Sequence, residues 1–301
     1  MEVIGNGMKY LILGANGQLG SEFCEALTEK NLGYKAHTKT QLDILDFQRV
    51  RDEIRIKQPE FIINTAAWTD VRGAETNLFS AYRINAEAVG NLALTAKEFG
   101  SKLIHFSSDY VFSGENNKPF DEDDPKRPVN FYGYSKLAGE NRIIDLMGTD
   151  FYIFRTAWLY GSSGKNFLTS ILQIALETKD NVDVVNDQFG QPTSVQELAR
   201  TVIDACERNL SSGLYNLTNS GNATWYEFAR EIFYLSGEDS DRVVAICTSE
   251  RKDSVNRPSY SVMSNNKWIS AGMVPMEDWR EALGKVIPKA ISFLKSGKNE
   301  N

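Results

Sequence analysis

The segment "NFYGYSKLAGE" (residues 130–140) places Tyr132 and Lys136 four positions apart. The segment reads as the start of a helix, where residues i and i+4 share one face, so the phenol and the ammonium can act on one point in space. A phenol beside a carbonyl oxygen can supply the proton that an alkoxide needs once a hydride has been added to a ketone. The pair is a candidate for this chemistry, although two solvated surface side chains would show the same spacing.

A glycine-rich loop lies near the start of the chain, in "LILGANGQLGSEF", where Gly14, Gly17 and Gly20 join an apolar run to a helical pattern. Glycines at such a junction allow a tight turn, close approach of a pyrophosphate to the backbone, and a helix packed near the strand with its N–H groups aimed at the phosphates. A plain connection between a strand and a helix is the alternative. The position of the loop favours dinucleotide binding.

The second strand pattern bears on which nicotinamide cofactor is used. NADH specificity usually shows as an acidic residue at the end of this strand, but "YKAHTKT" (34–40) offers Lys35, His37 and Lys39, and no carboxylate comes before Asp43. The absence of an acid predicts that NADPH is preferred and that NADH is possible. The alternative is that these cations are solvated surface.

The bulk composition excludes several classes of protein. A chain of 301 residues with 42% apolar content can bury a substantial core, and a net charge of −7 argues against general affinity for nucleic acid or for an anionic membrane. The three cysteines are far apart and lack metal spacing, so neither a disulfide framework nor a zinc site is indicated, and a cytoplasmic location fits best. No targeting segment or membrane span is predicted, and residues 1–7 are expected to be an extended start or a cloning remnant.

The order of apolar runs predicts the elements that must position these residues. Strands are expected at 9–13, 34–38, 60–64, 102–107 and 151–156, with helices at 18–30, 47–57 and 78–99 between them. This alternation predicts an α/β fold, a Rossmann-type doubly wound parallel sheet over residues 8–156, with its ligand beyond the carboxyl ends of the strands. Residues 157–301 are expected to form mainly a smaller C-terminal α+β substrate-binding region, with helices at 166–177, 195–207, 224–235 and 279–294 and with segments that could be exchanged between the two regions.

Several motifs occur in the order found in one known family. The glycine loop, "NTAAW" (64–68), "HFSSDYVFSG" (105–114), "YGYSK" (132–136), "NDQFGQPTS" (186–194) and "RPSYSVMSNNKW" (257–268) together resemble the dTDP-4-dehydrorhamnose reductases, which are extended short-chain dehydrogenase/reductases. The resemblance runs from about Met8 to near the C-terminus. It implies NAD(P)H-dependent reduction of the 4-keto group of dTDP-4-dehydro-L-rhamnose to dTDP-L-rhamnose.

The resemblance implies a catalytic set of Ser108, Tyr132 and Lys136. Ser108 would orient the carbonyl oxygen, although a serine ending a strand can also merely cap loop backbone. Lys136, with the positive nicotinamide of the oxidised cofactor, would lower the pKa of Tyr132 by roughly two to three units. Lys136 would also hold the nicotinamide ribose.

The resemblance extends to binding residues. The cofactor-binding positions are Gly14, Asn16, Gly17, Gln18, Leu19, Gly20, Asp43, Ile44, Ala66, Ala67, Tyr132 and Lys136. Asp43 and Ile44 would lie beside the adenine, and Ala66 and Ala67 would let the cofactor backbone approach. The substrate-binding positions are Ser108, Asp109, Tyr110, Trp158 and Arg257. An aromatic ring suits a sugar or base face and a guanidinium suits a diphosphate, while Trp158 could equally be core.

The resemblance leaves a metal site and other activities to be weighed. Some members form a dimer around Mg²⁺ held by glutamates; Glu22 matches one such position, but Gln196 replaces another glutamate, so we expect no metal and either a monomer or a homodimer. The alternatives are a non-catalytic NADP-binding regulatory subunit, as in the methionine adenosyltransferase beta subunit, or another sugar-nucleotide reductase or an epimerase. An intact catalytic set favours an enzyme that acts on a nucleotide sugar.

Overall fold

The computed structural model describes residues 2–3, 9–116, 118–251 and 255–296. Within these ranges strands β1 to β13 are, in chain order, Glu2–Val3, Tyr10–Leu13, Tyr34–His37, Phe61–Asn64, Lys102–Ser108, Phe151–Thr156, Leu159–Tyr160, Val182–Val185, Phe189–Gly190, Thr193–Ser194, Gly213–Asn216, Ala223–Thr224 and Val243–Ile246. Helices α1 to α11 are Gln18–Glu29, Phe47–Lys57, Val71–Thr76, Leu78–Tyr82, Ala88–Phe99, Phe131–Met147, Phe167–Glu177, Val195–Glu207, Trp225–Leu235, Asn266–Ser270 and Trp279–Ser296.

The central sheet has the strand order β1-β3-β2-β4-β5-β6-β11. In this sheet β3, β2, β4, β5, β6 and β11 run parallel to one another. Strand β1 pairs antiparallel with β3 at the edge of the sheet. Strand β2 lies between β3 and β4, so the chain adds β3 on one side of β2 and then β4, β5 and β6 on the other side. A crevice therefore opens beyond the carboxyl ends of β2 and β4, which is where sheets of this kind bind their ligands.

Helices cover both faces of this sheet, as the uninterrupted apolar strands predict. Alternation along β2 sends Tyr10 and Ile12 into one apolar layer and Leu11 into the other. The first layer is closed by α1 and α8, with Phe23 among its buried side chains, and the second by α2, α5 and α6, with Val89. The prediction of a Rossmann-type doubly wound sheet is confirmed.

The chain after Thr156 builds a third apolar cluster between α7, α9 and α11. It also supplies β11, which pairs in parallel with β6, and α8, which packs on α1. This half of the chain also contains three small two-stranded sheets, which pair β7 with β10, β8 with β13 and β9 with β12. Segments from this half are thus built into the central sheet, while the division at residue 156 stays a prediction.

Several predicted elements differ from the structure in detail. The helix expected at 78–99 contains a π-helical turn, Arg83–Glu87, between α4 and α5. The short helix α3 was not predicted because it has six residues; the Asp70 carboxylate caps it by accepting from the Gly73 N–H at 2.9 Å. In the segment expected as an extended start, Glu2–Val3 forms β1, and residues 1 and 4–7 lie outside the described ranges. Across the described ranges no helix has the length and apolar character to cross a membrane.

Candidate active site

A cleft of about 680 Å³ opens beyond the carboxyl ends of the central strands. Both halves of the chain contribute to its walls. Of the candidate catalytic, cofactor-binding, substrate-binding and metal-binding residues, Gly20 and Glu22 lie outside the lining. The structure brings the others together there: Gly14, Asn16, Gly17, Gln18, Leu19, Asp43, Ile44, Ala66, Ala67, Ser108, Asp109, Tyr110, Tyr132, Lys136, Trp158 and Arg257.

The glycine loop forms one wall in the way its spacing requires. Gly14 has a φ of +86°, and a Cβ atom there would lie 2.8 Å from the backbone nitrogen of Ala66. The Gly17 N–H donates to the Gly14 carbonyl at 2.9 Å, which closes a tight turn before α1. Helix α1 begins without a side-chain cap and without an acidic residue in its first turn. Its free N–H groups and dipole therefore suit a phosphate.

Gly20 and Glu22 do not line the cleft. A Cβ atom on Gly20 would lie 2.3 Å from the Gly14 carbonyl oxygen, so this glycine allows α1 to pack against the loop. Burial, and to a lesser degree the Glu25 carboxylate, raise the pKa of Glu22. Over the ranges that the structure describes, no three His, Cys, Asp or Glu side chains lie close enough together to hold a metal ion.

Helix α6 carries Tyr132 and Lys136, and two features of its sequence dock it. The Asn130 carboxamide oxygen accepts from the Gly133 N–H at 2.9 Å and caps the helix. A Cβ atom on Gly133 would lie 2.1 Å from the Tyr110 carbonyl oxygen, so only glycine lets α6 lie this close to the turn after β5. "NFYGYSK" therefore fixes Tyr132 and Lys136 against the end of β5, where Ser108 lies.

The Ser108 hydroxyl is held by its neighbours. It donates to the Asp109 carboxylate at 2.9 Å and accepts from the Tyr110 N–H at 3.2 Å. The second Asp109 oxygen accepts from the Ser261 hydroxyl at 2.6 Å. Burial raises the pKa of Asp109 to about 6, and these hydrogen bonds oppose that shift. Asp109 is buried, orients Ser108 and also lines the cleft, and its contact with the substrate stays a prediction.

In the protein alone, the pKa of Tyr132 is raised above the ordinary value of a phenol. Burial raises the pKa of its phenol, the nearby Asp109 raises it further, and a hydrogen bond with Ser108 lowers it only in part. The Lys136 ammonium donates to the Phe106 carbonyl at 2.5 Å, and the lowering expected from Lys136 together with the oxidised nicotinamide stays a prediction. A lowered pKa of Tyr132 therefore requires an additional cation in the cleft.

Lys136 is 2% exposed. Burial lowers its pKa to about 8, and the carboxylate of Glu140 opposes this shift. The side chain reaches the end of β5 from α6, beside the cleft. A buried ammonium with one backbone partner has donors left for a ligand hydroxyl.

Two further hydroxyl groups in the cleft were not predicted as binding groups. The Ser107 and Thr156 oxygens line it, are buried, and have no hydrogen-bond partner among the described residues. Unpaired buried hydroxyls are costly, so a polar ligand group is the expected partner. Together with the open start of α1 and the Gly14 cradle, they make the cleft fit a nicotinamide dinucleotide. The only sequence signal was their position at the carboxyl ends of β5 and β6.

The opposite end of the cleft is aromatic. Trp158 and Trp225 stack with ring centroids 3.6 Å apart and an interplanar angle of 7°. A Cβ atom on Gly190 would lie 2.3 Å from the Trp158 ring, so this ring is packed from both sides and also lines the cleft. Trp158 is therefore packed against other residues and is also open to a ligand in the cleft. Trp225 was missed because no motif identified it.

Polar groups adjoin the aromatic end. The Arg257 guanidinium donates to the Tyr110 hydroxyl at 3.3 Å. The Tyr110 ring meets the Tyr132 ring edge to face, with centroids 5.6 Å apart. Lys165, which was not selected from the sequence, also lines the cleft. Cations at this end suit an anionic group on a second ligand.

The three cations of "YKAHTKT" are not equivalent. Lys39 lines the cleft, whereas Lys35 and His37 do not. The His37 Nε2 atom lies 2.9 Å from the Glu53 carboxylate. His37 is thus engaged within the protein, and of the three cations Lys39 is the one that borders the cleft.

Comparison with known proteins identifies the family of this chain. The model of the RmlD substrate binding domain family matches residues 8–291. The spore coat polysaccharide biosynthesis protein SpsK of Bacillus subtilis is 39% identical over 94% of this chain and 98% of its own length. A dTDP-4-dehydrorhamnose reductase of Streptomyces griseus is 36% identical over 93% of each. The crystal structure of dTDP-4-dehydrorhamnose reductase from Bacillus anthracis in complex with NADP is 34% identical, covers 94% of this chain and 99% of that one, and superimposes with a TM-score of 0.90.

Proposed function

The chain belongs to the RmlD substrate-binding-domain family, and we propose that it reduces the 4-keto group of dTDP-4-dehydro-L-rhamnose to give dTDP-L-rhamnose, with NADPH as the preferred reductant and NADH as a possible one. The observation that carries this proposal is the convergence of Ser108, Tyr132 and Lys136 on the cleft that the glycine loop borders. The relatives named as dTDP-4-dehydrorhamnose reductases support the choice of substrate.

The residues present account for the steps other than hydride transfer. A bound reduced nicotinamide supplies the hydride to C4 of the sugar. The Tyr132 hydroxyl gives its proton to the oxygen that becomes negative, and Ser108 orients that oxygen. Lys136 holds ribose hydroxyls through a charge-assisted hydrogen bond and keeps a positive charge beside the reacting groups. The start of α1 receives the pyrophosphate.

The substrate occupies the other end of the cleft in this proposal. Arg257 and Lys165 face an anionic diphosphate, and the stacked pair of Trp158 and Trp225 gives the base or the sugar an apolar surface. A substrate-dependent loss of NADPH absorbance tests the whole assignment. The expected result is NADPH oxidation only when the 4-keto sugar is present, and oxidation at the same rate without the sugar would contradict the assignment.

Lys39 is expected to set the preference for NADPH. Reversing its charge in Lys39→Glu should lower kcat/KM for NADPH by about tenfold relative to NADH, because the new carboxylate repels a ribose phosphate and can accept from a ribose hydroxyl. The measurement is kcat/KM for both cofactors at fixed ionic strength, since exposed charges are screened. Lys35→Glu is the matched control, because Lys35 lies outside the cleft. An unchanged cofactor ratio in Lys39→Glu would remove this role.

Trp225 is expected to contribute to substrate affinity. In Trp225→Ala the Trp158 ring loses its stacking partner, and we expect the KM for the nucleotide sugar to rise by about tenfold, with a smaller effect on kcat. Tyr234→Ala is the control on the same helix, since Tyr234 is largely exposed. A wild-type KM in Trp225→Ala would show that the paired rings serve packing only.

A further inference from the structure

A buried ion pair lies directly behind Lys136. Glu140 follows one turn later on α6, and the side chains of Glu140 and Arg155 are each 1% exposed. The Arg155 guanidinium of β6 donates to both Glu140 oxygens, at 2.9 Å and 2.6 Å. It also donates to the Glu122 carbonyl at 2.9 Å and lies 5.1 Å from the centroid of the Phe112 ring. These contacts hold the Arg155 guanidinium, which in turn holds the Glu140 carboxylate.

Such a pair is a costly way to hold a helix on a sheet. Removing two charges from water costs free energy for each ion, and well-packed apolar side chains often hold a fold as well or better. The α6 helix already has apolar contacts with the sheet, including Ile143. A role beyond packing is therefore expected, and the nearest buried group with such a need is Lys136, whose charge Glu140 favours.

We propose that Glu140 is a positioning residue for Lys136: its carboxylate, held by Arg155, keeps the Lys136 ammonium charged where it donates to the Phe106 carbonyl beside the cleft. The spacing of Lys136 and Glu140 puts both side chains on one face of α6. Burial of both groups removes most of the screening by water, so their attraction is stronger than that of an exposed pair. The inference rests on the proposed function only through the role of Lys136 in cofactor binding.

The other titratable groups around Lys136 do not replace Glu140. His105 on β5 has its pKa held well below 6.5 by burial and by Lys136, so it stays neutral. Asp109, in the turn after β5, is engaged by two serine hydroxyls. Tyr132 is an uncharged phenol at neutral pH because its pKa is raised.

The charged groups on the remaining neighbours of α6 have partners of their own or lie at its surface. Arg83 and Glu87 of the π-helical turn are 3.8 Å apart and more than a third exposed. Glu75 of α3 accepts from the Phe131 N–H at the start of α6. Arg142 faces the Tyr82 ring from α6 itself. Among these groups, Glu140 is the buried carboxylate that lies on the same helix as Lys136, one turn away.

The test is the pH dependence of NADPH affinity, measured by fluorescence titration without any sugar. An ammonium is required for the ribose contact, so wild-type affinity is expected to be present below a midpoint near pH 8 and to fall as pH rises through it. Lys136→Met shows whether Lys136 causes this fall in affinity, because the variant should have an NADPH affinity that does not change across this pH range. In Glu140→Gln the midpoint should move down by about one pH unit, and Glu140→Asp should restore part of the shift.

Glu140→Gln leaves the Arg155 charge buried and unpaired, so it could unfold for that reason alone. The double variant Glu140→Met with Arg155→Met removes both charges and keeps the site apolar. A folded double variant whose midpoint is lowered, by less than in Glu140→Gln because the Arg155 charge is also lost, supports the proposal, and one whose midpoint is at or above the wild-type value overturns it. Absence of NADPH binding by the wild type would overturn the proposed function and this inference together, whereas NADPH binding without sugar reduction would leave the inference standing.

Discussion

Replacing Tyr132 by phenylalanine is expected to lower kcat by about two orders of magnitude or more, with NADPH affinity within about twofold of wild type. The change removes one oxygen, the proposed proton donor, and leaves the ring that packs against Tyr110. Hydride addition would then leave an alkoxide without a positioned acid. Steady-state kinetics with the 4-keto sugar and a separate NADPH titration measure the two effects.

The chain provides a matched control for this variant. Tyr134 lies two residues further along the same helix, is 51% exposed, and lies outside the cleft lining. Tyr134→Phe removes the same oxygen from the same helix and should keep wild-type kcat. Near-normal turnover of Tyr132→Phe would mean that the proton comes from another group, and the catalytic assignment would be lost.

Lys136→Met is expected to weaken both binding and turnover. A charge-assisted hydrogen bond is worth about 1.5 to 3 kcal/mol, so NADPH affinity should fall by about tenfold to a hundredfold. We expect kcat/KM to fall further, because the positive charge beside Tyr132 is also lost. Methionine is an unbranched side chain of similar length that carries no charge, which keeps the helix packed against β5.

Lys179→Met is the control for loss of a lysine charge, since the Lys179 side chain is 86% exposed. It should bind NADPH as the wild type does. If Lys136→Met bound NADPH with wild-type affinity, Lys136 could not hold the ribose. If its turnover were also normal, the charge of Lys136 would have no part in catalysis.

Much of the fold followed from local pattern. The central strands are short and apolar on both faces, which is diagnostic of a sheet covered on both sides. Helices α2 and α8 begin and end at the predicted residues, 47–57 and 195–207. The glycine loop was readable because each of its demands is local: Gly14 needs a positive φ, and Gly20 needs space beside its own loop. Features that depend on neighbouring residues in this way can be predicted from a single sequence.

The remaining features depend on contacts between distant residues. The partner of His37 is Glu53, sixteen positions away on α2, and the sequence near His37 gives no sign of this contact. Trp225 meets Trp158 across 67 positions, and neither residue carries a local sign of the other. The direction of the Tyr132 pKa shift also depends on burial, which the helix spacing does not reveal.

The most direct test of the proposed function is identification of the product. The protein would be incubated with dTDP-4-dehydro-L-rhamnose and NADPH deuterated at the transferable position, and the sugar nucleotide would be analysed by mass spectrometry and NMR. We predict dTDP-L-rhamnose with deuterium at C4 and one NADP⁺ formed for each sugar reduced. An unchanged keto sugar, or a sugar rearranged at C4 without net consumption of NADPH, would contradict the account.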